Sequence, residues 1–277
     1  MYGATVPPVS VIVPAYDEAR HIERALASLA VQDLPPLEVI VADDGSRDDT
    51  ADRAERAGAR VLRLAHAGPA RAKNAGAAVA RGEVLVFVDA DMTCAPGFLR
   101  ALVAPIRAGA TGSFTSEIHL ANPEKRWARA YATLRWSPPD RLLPHDFPDR
   151  WTQFRAIRRD AFEGAGGFAD VGYGEDLTLA ERLGTLAVAA PGAVCHHHHP
   201  ETLREVFDNG RWVGRGAAVR TLAHPWRDHA LPRVLGLGVR QALGGRTPWV
   251  IPARAVYHTG VWTGLAQTAR DPGRHWK

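Results

Sequence analysis

Cysteine is nearly absent: Cys94 and Cys195 are the two in 277 residues. No disulfide framework is indicated, and a reducing cytoplasm is the expected setting. No apolar stretch reaches the roughly 18 to 20 residues needed to span a bilayer. The first residues lack the basic segment and apolar core of a signal peptide. The turn after the first apolar run is Pro14-Ala15-Tyr16-Asp17-Glu18, where a dinucleotide-binding enzyme would place Gly-x-Gly-x-x-Gly. No Walker phosphate loop, internal repeat or low-complexity tract is found either.

With 46% hydrophobic and 23% charged residues, the chain can bury a full core, as one large domain or a domain plus an appendage. The net charge is only +4, but it is unevenly placed. From Arg211 onward stand Arg211, Arg215, Arg220, Arg227, Arg233, Arg240, Arg246, Arg254, Arg270, Arg274 and Lys277, against Asp228 and Asp271 alone. Trp212, Trp226, Trp249, Trp262 and Trp276 lie among them. Basic residues mixed with Trp suit an anionic surface, either membrane headgroups or nucleic acid.

Strand and helix patterns alternate over the first 90 residues. Strands are predicted at 9–13, 37–42, 60–64 and 84–88, and helices at 21–30, 49–57 and 70–80. That alternation implies βαβ units and a parallel sheet buried on both faces. Ligands of such sheets sit beyond the carboxyl ends of the strands. Tyr16-Asp17-Glu18, Asp43-Asp44 and Asp89-Ala90-Asp91 all fall at such ends. The run Val84–Met92 is the most telling, because an apolar strand ends in two carboxylates spaced i, i+2. A divalent cation held against a diphosphate would offset their charge; an ordinary acidic turn is the alternative. The proline-punctuated middle, about 105–165 (Pro123, Pro138, Pro139, Pro144, Pro148), reads as a poor source of regular structure and a substrate-covering region. Residues 176–183 regain helical spacing, 186–194 read as one last strand, and broken amphipathic helices follow Pro200.

In order, the chain shows Val-Ser-Val-Ile-Val-Pro-Ala-Tyr-Asp-Glu (9–18), Val-Ile-Val-Ala-Asp-Asp-Gly-Ser-Arg-Asp-Asp-Thr (39–50), Gly-Pro-Ala-Arg-Ala-Lys-Asn-Ala-Gly (68–76), Val-Phe-Val-Asp-Ala-Asp (86–91), Gly-Gly-Phe (166–168) and Gly-Glu-Asp-Leu-Thr-Leu-Ala-Glu-Arg-Leu (174–183). Over about residues 7–215 it resembles glycosyltransferase family 2, the inverting GT-A enzymes. The resemblance implies an α/β fold with a Rossmann-like, mostly parallel sheet, flanking helices and a C-terminal helical appendage. It implies a GT-A catalytic domain over 1–200, with a nucleotide-sugar half at about 1–105 and an acceptor-side half at about 106–200. An amphipathic helical region would occupy 201–277.

The implied activity is transfer of one sugar from a UDP- or GDP-sugar to an acceptor hydroxyl, with Mg²⁺ or Mn²⁺. Pro14, Ala15, Tyr16 and Glu18 resemble the wall around the nucleotide base. Asp43 or Asp44 resembles the residue that bonds base or ribose, the other being a cap or Asx turn. Arg71 and Lys73 stand where basic residues reach the nucleotide or diphosphate. Asp89, Ala90 and Asp91 form the metal turn, with Asp91 the more direct ligand. Asp176 resembles the catalytic base, kept ionised by the helix it opens, and Glu175 a group that positions the acceptor or a neighbouring backbone. One of His196–His199 is the candidate third metal ligand, with His198 named here. Strand alternation would put His196 and His198 on one face. Asp208-Asn209-Gly210-Arg211-Trp212 is similar to the Gln-x-x-Arg-Trp of processive members, with Asp208 in place of Gln. That departure and the lack of the transmembrane helices that processive synthases carry argue for single-sugar transfer, with Arg211 at the diphosphate and Trp212 either stacked on an acceptor or simply packed.

The acceptor is expected to be small and polar or lipid-linked. The protein is expected in the cytoplasm or peripheral on the membrane's cytoplasmic face. Its tail would lie on the membrane, pack on the core, or meet a second copy in a homodimer. No nucleic-acid partner is expected. The competing readings are a sugar-1-phosphate nucleotidyltransferase, which should carry a Gly-rich basic loop after the first strand, a basic nucleic-acid- or membrane-binding module, and a catalytically dead sugar-nucleotide sensor.

Overall fold

The computed structural model describes residues 6–134, 141–144, 146–216, 230–244 and 247–270. In chain order the elements are β1 (Val9–Ala15), α1 (Ile22–Ala30), β2 (Glu38–Asp43), α2 (Thr50–Arg56), β3 (Arg60–Arg63), α3 (Pro69–Val79), β4 (Val84–Phe87), β5 (Met92–Cys94), α4 (Phe98–Arg107), β6 (Gly112–Phe114), β7 (Glu117–Leu120), α5 (Arg126–Thr133), β8 (Arg150–Trp151), β9 (Ala156–Arg158), α6 (Arg159–Gly164), α7 (Thr178–Leu183), β10 (Ala187–Ala189), β11 (Val194–His197), α8 (Leu203–Arg215), α9 (Leu231–Leu243) and α10 (Val250–Arg270). The chain divides into two units. One holds residues 1–117, 147–170 and 175–196, the other 118–146, 171–174 and 197–277.

The first unit is built on a sheet of order β3-β2-β1-β4-β9-β6-β10-β8. Its first four strands run parallel. Val11, Ile12 and Val13 are fully buried, as expected of a strand covered on both faces. α1 buries Ile22, Ala25, Leu26 and Leu29, the stripe that helical spacing dictates. The core gathers Ile12, Ile40, Leu85, Phe87, Phe154 and Phe168, among others. Phe168 meets Phe87 edge-on with ring centroids 5.0 Å apart, so the Gly-Gly-Phe turn is anchored in the core.

The middle of the chain departs from expectation. It supplies regular sheet strands, with β9 antiparallel between β4 and β6; beyond it, β10 pairs parallel with β6 within the span expected to be a strand. The span 186–194 holds β10 and only the first residue of β11, with the turn that contains Pro191 and Gly192 between them. These strands are two to four residues long. That is too short for alternation to be visible against the prolines around them.

In the second unit Thr202 caps α8 by accepting the Glu205 N–H. α8 and α10 cross at glycines on both helices. A Cβ on Gly210 or Gly214 would sit 2.1 Å from Tyr257 O or 2.2 Å from Val261 O. One on Gly260 or Gly264 would sit 2.2 Å from Phe207 O or 2.1 Å from Arg211 O. The two main chains touch directly, and any side chain would force them apart. Gln241 and Arg254 bond across α9 and α10, with Arg254 Nη2 donating to Gln241 Oε1 at 2.8 Å. Among the described residues no helix is long and apolar enough to cross a membrane. Val239, Leu243, Trp249 and Trp262 are exposed. Pro138 and Pro139 lie outside the described residues, as do Arg220, Trp226, Arg227, Asp228, Arg246, Asp271, Arg274, Trp276 and Lys277 of the basic tail.

Candidate active site

Parallel pairing decides which strand ends meet. Ala15 of β1 is level with Asp43 of β2, and Ile12 of β1 with Phe87 of β4. Continuing the second register by two residues brings Asp89 beside Pro14. The turns bearing Tyr16-Asp17-Glu18, Asp43-Asp44 and Asp89-Ala90-Asp91 therefore leave the sheet on one edge, its carboxyl edge.

The first two turns are stitched together. Asp17 N–H donates to Ser46 Oγ at 2.9 Å and Arg47 N–H to Asp17 Oδ1 at 2.7 Å. Glu18 N–H donates to Thr50 Oγ1 at 2.8 Å. Asp17 holds φ at 54°, the one positive value outside glycine among the described residues. The Tyr16 ring stacks on His66 at 4.2 Å between centroids, and Arg47 Nη2 donates to its hydroxyl at 2.7 Å. A flat aromatic platform thus stands at the end of β1.

Asp43 and Asp44 are equally buried and differently used. Asp44 Oδ1 accepts the Ala67 N–H and Oδ2 the Gly68 N–H, each at 2.9 Å, while His66 Nδ1 lies 2.8 Å from Oδ2. Asp44 therefore organises the loop that starts α3. Asp43 Oδ1 is buried with no hydrogen-bond partner among the described residues.

At the end of β4, Val88 N–H donates to Ile12 O and Met92 N–H to Asp89 O, both at 3.0 Å. The second bond closes a turn that carries Asp89 and Asp91, both partly exposed, with Ala90 buried between them. Arg155 Nη1 donates to Asp89 Oδ2 at 2.9 Å. Among the described residues no set of three or more His, Cys, Asp or Glu side chains is arranged to hold a metal.

Glu175 and Asp176 meet Lys73, which α3 sends inward. Its Nζ lies 2.8 Å from Glu175 Oε1 and 2.5 Å from Asp176 Oδ1. Gln153 Nε2 donates to Asp176 Oδ2 at 2.9 Å. Burial opposes the charge on Lys73, but Asp176, Glu175 and Asp89 outweigh it and hold the ammonium protonated well above the usual lysine range. Burial pushes the Glu175 carboxyl upward, against the pull of Lys73. Arg155 is also desolvated, yet Asp89 and Asp176 keep its guanidinium firmly charged. Two interior cations thus hold three carboxylates, an arrangement whose geometry must be kept because removing one member strands a buried charge.

Asp176 does not open an α-helix. It lies in a 3₁₀ turn, Glu175–Leu177, ahead of the six-residue α7. Side chains from α3 and from the segment before β9 hold its carboxylate, so the helix-end field is not what orients it. The Asn74 amide donates to Phe168 O at 2.9 Å and accepts the Phe168 N–H at 3.0 Å, which locks α3 to the Gly-Gly-Phe turn next to Lys73. Thr178 Oγ1 donates to Glu175 O at 2.6 Å.

Arg71 is exposed and pairs with Asp170 at 3.0 Å. Arg211, in the second unit, lies 3.2 Å from Asp208 on its own helix. His198 belongs to the second unit and follows the end of β11, so strand alternation does not govern it. Gln153 and Arg155 were not foreseen. Their one sequence signal was two long polar side chains flanking an apolar residue.

The family model for glycosyl transferase family 2 matches residues 10–166, more than half of the chain. The chain belongs to glycosyltransferase family 2. It is 29% identical over 253 residues to the pre-mycofactocin glycosyltransferase of Mycobacterium tuberculosis, covering 84% of this chain and 51% of that protein. This family member thus spans about half the length of that relative. Glucosyl-3-phosphoglycerate synthase from Mycobacterium tuberculosis, solved with Mn²⁺, UDP and phosphoglyceric acid, superposes with a TM-score of 0.51 at 26% identity, covering 76% of each chain. The mannosyltransferase PcManGT from Pyrobaculum calidifontis, solved with GDP-Man and Mn²⁺, shares the fold with a TM-score of 0.53 at 24% identity, covering 97% of this chain and 82% of that one. The fold is the GT-A fold of these enzymes.

Proposed function

We propose that this family 2 enzyme moves a single sugar from a UDP- or GDP-sugar to an acceptor hydroxyl with inversion, and that Asp176 is the general base. The supporting observation is the fixed carboxylate of Asp176, gripped on one oxygen by Lys73 and on the other by Gln153. In a single displacement, Asp176 takes the proton of the acceptor hydroxyl while that oxygen bonds to the anomeric carbon. The bond from that carbon to the diphosphate oxygen breaks on the opposite side, and the nucleoside diphosphate leaves with the electron pair. Glu175, bound to the same lysine, keeps Lys73 in place.

The carboxylates of Asp89 and Asp91 fit Mg²⁺ or Mn²⁺, which bind through one or two carboxylates together with substrate phosphates. A bound metal would stabilise negative charge on the departing diphosphate. The Tyr16–His66 platform and the unsatisfied Asp43 Oδ1 support a nucleotide base at the end of β1 and β2, where Asp43 would accept an N–H of the base or a ribose hydroxyl. The mycobacterial synthase of this fold was solved with Mn²⁺ and UDP, which favours a divalent metal and a nucleoside diphosphate here. The acceptor is a small polar or lipid-linked hydroxyl compound. Exposed Val239, Leu243 and Trp249, with the basic tail, support an anionic membrane surface as partner, checked by co-sedimentation with anionic and neutral vesicles.

Asp176→Asn tests the reading. Transfer should fall by more than about 100-fold, the usual contribution of a general base, while UDP or GDP still raises the melting temperature as in the wild type. Transfer at the wild-type rate would remove Asp176 from that role.

A further inference from the structure

Gln153 and Arg155 precede β9 with Phe154 between them. Positions i and i+2 of an extended segment point to the same side. Phe154 turns the other way and is buried in the core. It packs where Gly112 leaves room, since a Cβ at Gly112 would lie 2.5 Å from the Phe154 ring. The main chain of Arg155 is held on both sides: its N–H donates to Ser113 O at 2.8 Å, and its carbonyl accepts the Phe87 N–H at 2.9 Å. The segment is therefore rigid from the inside. Its two polar side chains end on two different carboxylates, Gln153 on Asp176 and Arg155 on Asp89.

We propose that Gln153 and Arg155 form a two-pronged positioning element, which fixes the carboxylate of the base with one arm and that of the metal turn with the other. The inference rests on the reading of Asp176 as the base. The two arms differ chemically for a reason. Asp89 must stay ionised to serve a cation, and a guanidinium suits it. Asp176 must accept a proton, and the neutral Gln153 amide orients it without adding to the positive charge that Lys73 and Arg155 already place near it. Neither arm touches the reacting atoms. Each acts through the carboxylate it holds, and alignment of that kind governs rate because small displacements of a catalytic group are costly.

Kinetics of purified Gln153→Ala and Gln153→Glu, with UDP- and GDP-sugar donors, test the proposal. Gln153→Ala should lower kcat about 10-fold or more with the donor KM within about twofold of wild type and the melting temperature little changed. Gln153→Glu should be worse than Gln153→Ala, because it sets a like charge against Asp176. Adding Gln153→Ala to Asp176→Asn should cause no further loss, since the first acts only through the second. Arg155→Lys should keep more of the Mn²⁺-dependent thermal shift with nucleotide than Arg155→Met. If Asp176→Asn is inactive and Gln153→Ala keeps the wild-type kcat, the positioning role is wrong and the base stands. If Asp176→Asn transfers sugar normally, the base reading itself has failed. A Gln153→Ala variant that loses kcat only in proportion to folded protein also overturns the proposal, and Gln153→Glu then shows no added defect.

Discussion

Asp44 reaches across 24 residues to receive the N–H of Gly68 on its Oδ2 at 2.9 Å. With the Ala67 bond on Oδ1, a single carboxylate sets the loop from which α3 departs. Among the described residues its neighbour Asp43 makes no comparable side-chain bonds. Asp44→Ala should therefore cost about 2–3 kcal/mol, the loss of charge-assisted bonds to buried donors. Asp43→Ala should leave denaturant stability nearly unchanged and weaken nucleotide binding. Urea melts and calorimetric titration of UDP and GDP on both variants check this pairing of outcomes.

Lys73→Met removes the cation shared by Glu175 and Asp176. Leaving two carboxylates in that interior should cost about 3–5 kcal/mol. The pH dependence has a defined sign. The folded state raises the affinity of Lys73 for its proton above the ordinary lysine value of 10.5. Its stabilising contribution is then fully present below pH 10.5 and fades as pH rises beyond it. The stability gap between wild type and Lys73→Met should hold steady up to that pH and narrow above it, as followed by chemical denaturation across alkaline buffers.

Asp91→Ala should abolish the added thermal shift that Mn²⁺ gives in the presence of nucleoside diphosphate, and chelation of divalent cations should do the same to the wild type. Arg155 holds one oxygen of Asp89, the other carboxylate of the same turn. An undiminished Mn²⁺ effect in Asp91→Ala would move the metal elsewhere.

The half of the site built on β1, β2 and β4 was readable because those strands are largely apolar runs followed by acidic turns. Parallel order then forced Tyr16, Asp43 and Asp89 onto one edge. The resemblance points Lys73 at the diphosphate, but its grip on Glu175 and Asp176 was not readable, because α3 is made of small residues and its polar positions look solvated in sequence. Gln153 and Arg155 escaped for another reason: β9 is three residues long, and its neighbours in the sheet come from distant parts of the chain. Whether Asp43 or Asp44 was the structural one depended on the Gly68 contact, which no local pattern encodes.

The crossing of α8 with α10 is written in what is missing from four positions. Glycine is the smallest residue, so Gly210, Gly214, Gly260 and Gly264 can change only by gaining atoms where a neighbouring carbonyl already stands. Sequence drift can proceed freely on the outward faces of these helices while the inward faces stay frozen. The spacing of this helix pair should thus outlast most of its composition as the chain diverges.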